Sequence, residues 1–252
     1  MKSIPALALV VLSLSSCYHV YYAPNTANTP LFSEKGEARI NVLYAAGGDS
    51  EFQGGELQFA YAPAKHVGFM INGFAGGKSE DTGDYFEKGS GSYGEVAIGY
   101  FSAMDQQKRW VAEIYGGIGS GTANNDYGLN DRSKVNSTKL FLQPAIGYKT
   151  PNFEISFAPR LSQVNWKVKE NNITHQENSD ATNDLNYIRG ESGFFAFEPA
   201  LILRGGGETV KFQGALSFSN HHASSFYEEG LTETLTASLG VTFNIKPGRK
   251  AK

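Results

Sequence analysis

The stretch FEISFAPRL, residues 153–161, alternates strictly. Phe153, Ile155, Phe157, Pro159 and Leu161 share one parity, and Glu154, Ser156, Ala158 and Arg160 share the other. FAFEPALILR sets Phe195, Phe197, Pro199, Leu201 and Leu203 against Ala196, Glu198, Ala200, Ile202 and Arg204. VKFQGALSF sets Val210, Phe212, Leu216 and Phe218 against Lys211, Gln213, Ala215 and Ser217, and LTASLGVTF repeats the pattern from Leu235 to Phe243. A period of two belongs to β-strands, not helices, so these segments form a sheet with two unlike faces. Ten strand-like stretches are legible, near 38–46, 55–62, 66–75, 92–103, 110–120, 138–149, 153–166, 193–204, 209–220 and 232–245. Most approach the roughly 9–11 residues that a tilted membrane strand requires. Pro144, Pro159 and Pro199 each remove a ladder donor and are expected at bulges or register breaks.

A soluble barrel and a membrane barrel both have unlike faces. Side-chain size separates them. The polar parity is rich in small residues: Ala60, Ala97, Gly99, Ala145, Gly147, Ala158, Ala196, Ala215, Ser238 and Gly240. Small residues mixed with a few charges suit a crowded lumen, which leaves the large aliphatics and aromatics to face lipid. The links are the second sign. Short ones (63–65, 104–109, 150–152, 205–208) alternate with long polar ones (47–54, 76–91, 121–137, 167–192, 221–231), as in an up-and-down barrel with short periplasmic turns and long outer loops. That order is expected to place both chain ends on the periplasmic side. Third, Tyr61, Tyr100, Trp110, Tyr148, Phe153 and Phe243 share the apolar parity and sit beside short turns or the last strand end. Amphipathic rings favour that interfacial depth.

The lumen parity also carries Glu56, Glu95, Glu113, Glu154 and Glu198, opposed by Arg39, Arg160, Arg204 and Lys211. The signs nearly cancel. Unpaired charges in a narrow interior are costly, so pairing is expected, and a bridged ten-strand lumen reads as plugged rather than open. A narrow selective pore is the alternative.

The N-terminus carries an address. Met1-Lys2 is basic, Ile4 to Leu14 is an apolar run about half as long as a membrane span, and small residues follow, which together make a signal peptide. Leu14-Ser15-Ser16-Cys17 resembles the lipobox of bacterial lipoproteins. That resemblance implies cleavage before Cys17, the only cysteine, and a covalent lipid on it. Residues 17–37, with Pro24 and Pro30 and no period, read as an extended tether. SLGVTFNI, with Ser238, Gly240, Phe243 and Ile245, resembles the C-terminal β-signal of outer-membrane proteins, which is read by the barrel assembly machinery. The basic tail KPGRKAK that follows departs from family members ending at the aromatic. The opening YAPN…TPLFSEKGE resembles lipid-anchored barrel proteins of Bacteroidota, a family that brings no assigned activity.

Little in the chain suggests catalysis. Net charge is −3, so nothing indicates nucleic acid. His221 and His222 are adjacent and would point to opposite faces of a strand. GIGSGT (117–122) and GGGE (205–208) open no helix, so neither cradles phosphate. DTGDYFEKGSGS (81–92) lacks the spacing of a calcium loop, and divalent ions bridging surface sugar phosphates are the alternative there. Omptin proteases have ten strands and an Asp-His pair above the membrane. Here Asp49, Asp126, Asp131, Asp180, Asp184 and His175 lie in loops without that family's local motif.

The chain is thus expected to be all-β: an antiparallel up-and-down transmembrane barrel of about ten strands over 38–245. A signal peptide (1–16) and a lipidated tether (17–37) precede it, and a basic tail (246–252) follows. The expected role is binding or structural, in the outer membrane, with loops facing outward. Outer-membrane lipids and the assembly machinery are the expected partners, along with an envelope protein still to be named, and no cofactor beyond the lipid on Cys17. A small pore, a lipid-tethered soluble ligand-binding barrel and an omptin-like enzyme are the alternatives.

Overall fold

The computed structural model describes residues 20–48, 52–81, 86–191, 193–221 and 231–246. Its strands are β1 (Ala38–Gly47), β2 (Gln53–Ala64), β3 (Val67–Asp81), β4 (Phe86–Ala103), β5 (Trp110–Asp126), β6 (Arg132–Lys149), β7 (Phe153–Asn171), β8 (Gly193–Gly206), β9 (Val210–Phe218), β10 (Asn220–His221) and β11 (Leu235–Ile245). Each pairs antiparallel with its neighbour, β11 pairs with both β9 and β1, and the ring closes as ten strands. The two-residue β10 continues β9 along β8. Closure leaves no unpaired sheet edge among the described residues, which a chain in hydrocarbon requires.

The barrel is turned inside out relative to a soluble one. Leu239 and Phe212 are 72% and 74% exposed on the outside, and Ile98, Leu140, Leu201 and Leu216 lie exposed beside them. Inside, Ala60, Ala97, Ala145, Ala158, Ala196, Ala215 and Ser238 are buried. On β6 the outward apolar run from Leu140 to Tyr148 rises about 26 Å along the strand. The usual tilt reduces this to about 20 Å of height, near the roughly 25 Å apolar band of membrane barrels. Register puts the six interfacial aromatics at one end: Trp110 lies opposite Tyr148, Tyr100 opposite Val67, Phe153 opposite Gly205 and Phe243 opposite Val210.

Three details differ from the sequence reading. First, eight of the ten expected strands are longer, while β9 and β11 are shorter. β5 and β6 continue past the apolar band to Asp126 and Arg132, leaving residues 127–131 as a turn where a seventeen-residue loop was expected. Apolar parity marks only the lipid-facing part of a strand and fades above it. Second, the prolines make no bulge. Pro159 lies opposite Pro199, and the β6–β7 register, the same at Leu142 opposite Leu161 and at Ile146 opposite Phe157, brings Pro144 opposite Pro159; the one shift in this pair lies at Lys134 and Val135, away from the prolines. The three form one row across β6, β7 and β8, where the ladder opens but does not slip. Third, the stretch 167–192 holds a helix, α1 (Ser179–Glu191), after a single 3-10 turn (Gln176–Asn178). Ala181, Leu185 and Ile188, at i, i+4 and i+7, form its buried stripe. Asp180 in the first turn and Arg189 in the last complement the helix dipole. Leu185 and Ile188 of this stripe pack with Val135, Val164, Trp166 and Phe194 at the long-turn end of the barrel.

Candidate functional site

The segment expected to hang below the barrel runs through it. Tyr21 and Tyr22 enter at the long-turn end. Both backbone N–H groups donate to the Leu231 carbonyl, at 2.9 and 3.3 Å, and the Tyr21 hydroxyl lies 2.9 Å from that of Tyr127. The chain leaves at the short-turn end, where Lys149 Nζ donates to the Leu31 carbonyl and to Ser33 Oγ, and Glu34 pairs with Lys108. Gly36, at φ 87°, turns it back into β1, a left-handed conformation that suits glycine. From Tyr22 to Ser33 an extended chain reaches at most about 40 Å, enough to cross the apolar band.

Residues 20–32 carry no charged side chain and almost no sheet pairing, so their backbone groups need partners from the wall. The wall supplies them. Gln58 Nε2 donates to the Thr26 carbonyl (2.8 Å), Gln143 Nε2 to Asn28 (2.7 Å), and Arg39 and Arg204 Nη1 to Thr29 (3.2 and 3.0 Å). Glu56 accepts the Thr26 N–H at 3.3 Å and Glu113 the Leu31 N–H at 3.0 Å. Side chains add Thr26 to Ser238 (3.0 Å), Asn28 to Asn72 (2.8 Å) and Thr29 to Ser156 (2.7 Å). Leu31, fully buried, sits at φ 50°, a strained conformation outside glycine, held from both sides by Glu113 and Lys149.

All nine charged residues expected on the lumen parity are buried inside the barrel. Seven of them form two groups. Near the short turns, Glu154 meets Arg39 at 2.9 Å, Arg204 at 3.2 Å and Lys211 at 3.7 Å. Nearer the long turns, Glu95 meets Arg160 at 3.5 Å and Glu198 accepts the Tyr22 hydroxyl at 2.6 Å. Lys139, absent from the sequence reading, joins this second group, 3.4 Å from Glu95 and 3.8 Å from Glu198. It shares parity with Ala145 and Gly147, so alternation alone would have found it. Asn25 stitches the group together, donating to Glu95 (2.9 Å) and accepting from Lys139 and Arg160 (both 3.1 Å). Lys139 also lies 4.8 Å from the Tyr93 ring, and Arg160 4.8 Å from Phe141. Glu56 and Glu113 meet the threaded backbone instead of a cation.

A cavity of about 500 Å³ opens at the short-turn end, with Pro30, Leu31 and Phe32 of the threaded segment in its wall beside Arg39, Lys149 and Lys211. In the β-signal stretch, Ser238 faces the lumen, and Phe243 and Ile245 face outward opposite Ile40 and Ala38. A side chain at Gly240 would begin 2.1 Å from the Val42 carbonyl, so only glycine lets β11 close against β1.

His175 and Asp131 do come together. His175 Nδ1 lies 3.0 Å from the Asp131 carboxylate. The same carboxylate accepts from the Thr174 N–H and hydroxyl, the His175 N–H and Asn178 Nδ2, at 2.7–3.1 Å. Burial pushes this carboxyl up, but the hydrogen bonds from Asn178, Thr174 and His175 outweigh it and hold it well below the usual range. The cluster ties the β5–β6 turn to the segment before α1. Asp126 pairs with Arg132, and no group of three metal-ligating side chains occurs among the described residues. Cys17, Asp49, His222 and the tail beyond Lys246 lie outside the described residues, as do the side chain of His221 and the centre of the 81–92 stretch.

No protein-family model and no curated protein matches the chain. Among solved structures, it is similar to a major outer membrane protein from Thermus thermophilus, at 13% identity over 82% of this chain and 99% of that one, with a TM-score of 0.37. It also matches CdiB from Acinetobacter baumannii (8% identity, 84% and 60% covered, TM-score 0.25). A variant of OccD1 (OprD) matches at 9% identity, with 88% and 99% covered and a TM-score of 0.18. The reading of this chain as a membrane barrel rests on its own surface: a polar, charge-paired interior and a closed apolar outer wall.

Proposed function

We propose that this protein is an outer-membrane barrel with a binding or structural role in the cell envelope, closed by its own N-terminal segment. The observation that carries this is the grip on residues 26–31, whose carbonyls and N–H groups engage six lumen side chains. An open channel needs solvated charges. Here the charges are bound to one another and to the plug. The exposed apolar band opposes the soluble ligand-binding alternative, because leucines at the positions of Leu216 and Leu239 would be wet on a soluble barrel. The fivefold-bonded Asp131 reads as a structural clamp rather than one half of a hydrolytic pair. In this reading the long turns face outward, the chain is exported by residues 1–16, and Cys17 is acylated.

Conductance tests the closed state. Purified protein reconstituted in a planar bilayer should hold the baseline current under applied voltage. Steady ion conductance by the intact protein would support the pore instead.

A further inference from the structure

The path of the plug has a direction, and it separates the two ends of the described chain. The N-terminal end is fixed at the long-turn end by Tyr21, Tyr22 and their bonds to Leu231 and Tyr127. The C-terminal end of β11 lies at the short-turn end, where Lys246 pairs with Glu208 at 3.0 Å. The segment crosses the lumen once, so the described chain begins at the long-turn end and finishes at the short-turn end. We infer that the barrel serves as a conduit for its own N-terminus, delivering the residues upstream of Val20 to the membrane face that carries the long turns. The inference rests on the outward orientation of those turns proposed above.

Reach makes the argument quantitative. Cys17 is three residues from Val20, so the two lie within about 11 Å of each other. The apolar band is about twice that tall. A residue at position 17 therefore cannot return to the short-turn face while Tyr22 stays bonded at the long-turn end. An acyl chain there would enter the bilayer from the exterior leaflet. This gives the lipid a role that a spanning barrel otherwise lacks. Arg39 of β1 and Glu37 just before it, which accepts the Ser33 N–H at 2.7 Å, already fix the inner end of the plug. The outer end, bonded mainly through Tyr21 and Tyr22, would gain a second fixed point in the membrane. With both ends held, an uncharged segment stays threaded without a cross-link to the wall.

Cysteine accessibility tests the placement. His19→Cys is compared with Gln176→Cys, exposed at the long-turn end, and Gln106→Cys, exposed in a short turn. Each carries the native Cys17, because an acylated thiol is silent to maleimide and a free one reports from the same face. Heat-modifiable migration first shows that each variant has folded. A membrane-impermeant maleimide should label His19→Cys and Gln176→Cys equally before and after permeabilisation, and Gln106→Cys only after it. Shielding of His19→Cys in intact cells while Gln176→Cys reacts would overturn the inference and leave the orientation standing. Labelling of Gln106→Cys with shielding of Gln176→Cys would reject the orientation itself, and exterior delivery with it. Reaction of the parent protein would show that Cys17 is not acylated and would remove the second fixed point.

Discussion

Glu154 is the lumen residue on which most depends. It is the carboxylate common to Arg39, Arg204 and Lys211, all at most 5% exposed. Glu154→Gln keeps the shape and removes the charge, leaving three buried cations around a neutral amide. Breaking a buried ion pair from one side costs about 3–5 kcal/mol, and denaturant unfolding in detergent should show a loss of that size. Glu208→Gln, whose partner Lys246 is solvent-exposed, should change stability by less than about 1 kcal/mol. Equal effects of the two substitutions would mean that water screens the lumen, which would point to an open interior. The identity of such residues is legible in sequence, because period two assigns each strand position to a face. Their partners are not legible. Glu95 on β4 meets Arg160 on β7 across the lumen, and that pairing depends on barrel diameter and strand stagger, which no single strand encodes.

The long-turn elements show a different limit. α1 has only Ala181, Leu185 and Ile188 as its apolar stripe, and the rest of SDATNDLNYIRGE reads as a polar loop. Its hydrophobic partners are supplied by β6, β7 and β8, so the helix is stabilised by tertiary contact and not by its own pattern. Asp131 ties this region down, and its lowered pKa sets the pH response. A carboxyl held below its ordinary range in the folded state contributes stability that is full above the unfolded pKa, about 3.9, and is lost as pH falls through the folded value. Protease resistance of residues 172–191 should therefore be unchanged from pH 7 to pH 5 and fall under stronger acid. Asp131→Asn should open the same segment at neutral pH, with several-fold faster cleavage and an intact barrel. Identical cleavage of both proteins would show that the five hydrogen bonds do not hold the segment.

At the scale of the whole molecule, the wall was legible and its contents were not. Alternation, link lengths and the aromatic ring all describe the wall, because lipid on one side and a crowded lumen on the other impose a period on it. Nothing imposes a period on VYYAPNTANTPLF, whose partners come from all around the ring, so its sequence reads as a free tether. The wall's ladder is complete without this segment, whose only pairing among the described residues is a single bridge between Tyr22 and Thr232. Removing residues 20–32 should therefore leave a barrel that still closes and still migrates heat-modifiably. It should not leave the same stability. Arg39, Arg204, Gln58, Gln143, Glu56 and Glu113 each lose a backbone partner, and at about 0.5–1.5 kcal/mol per hydrogen bond the loss is several kcal/mol, partly offset by entering water. That water should carry current where the intact protein carries none. The converse variant fixes the plug. Thr29 and Ser156 hydroxyls lie 2.7 Å apart, so Thr29→Cys with Ser156→Cys places two thiols within disulfide reach. Oxidised, that protein should stay silent in the bilayer and melt higher than its reduced form. A deletion that melts like the intact protein and conducts no ions would show that the lumen is closed by its wall alone, and that the threaded segment is a passenger.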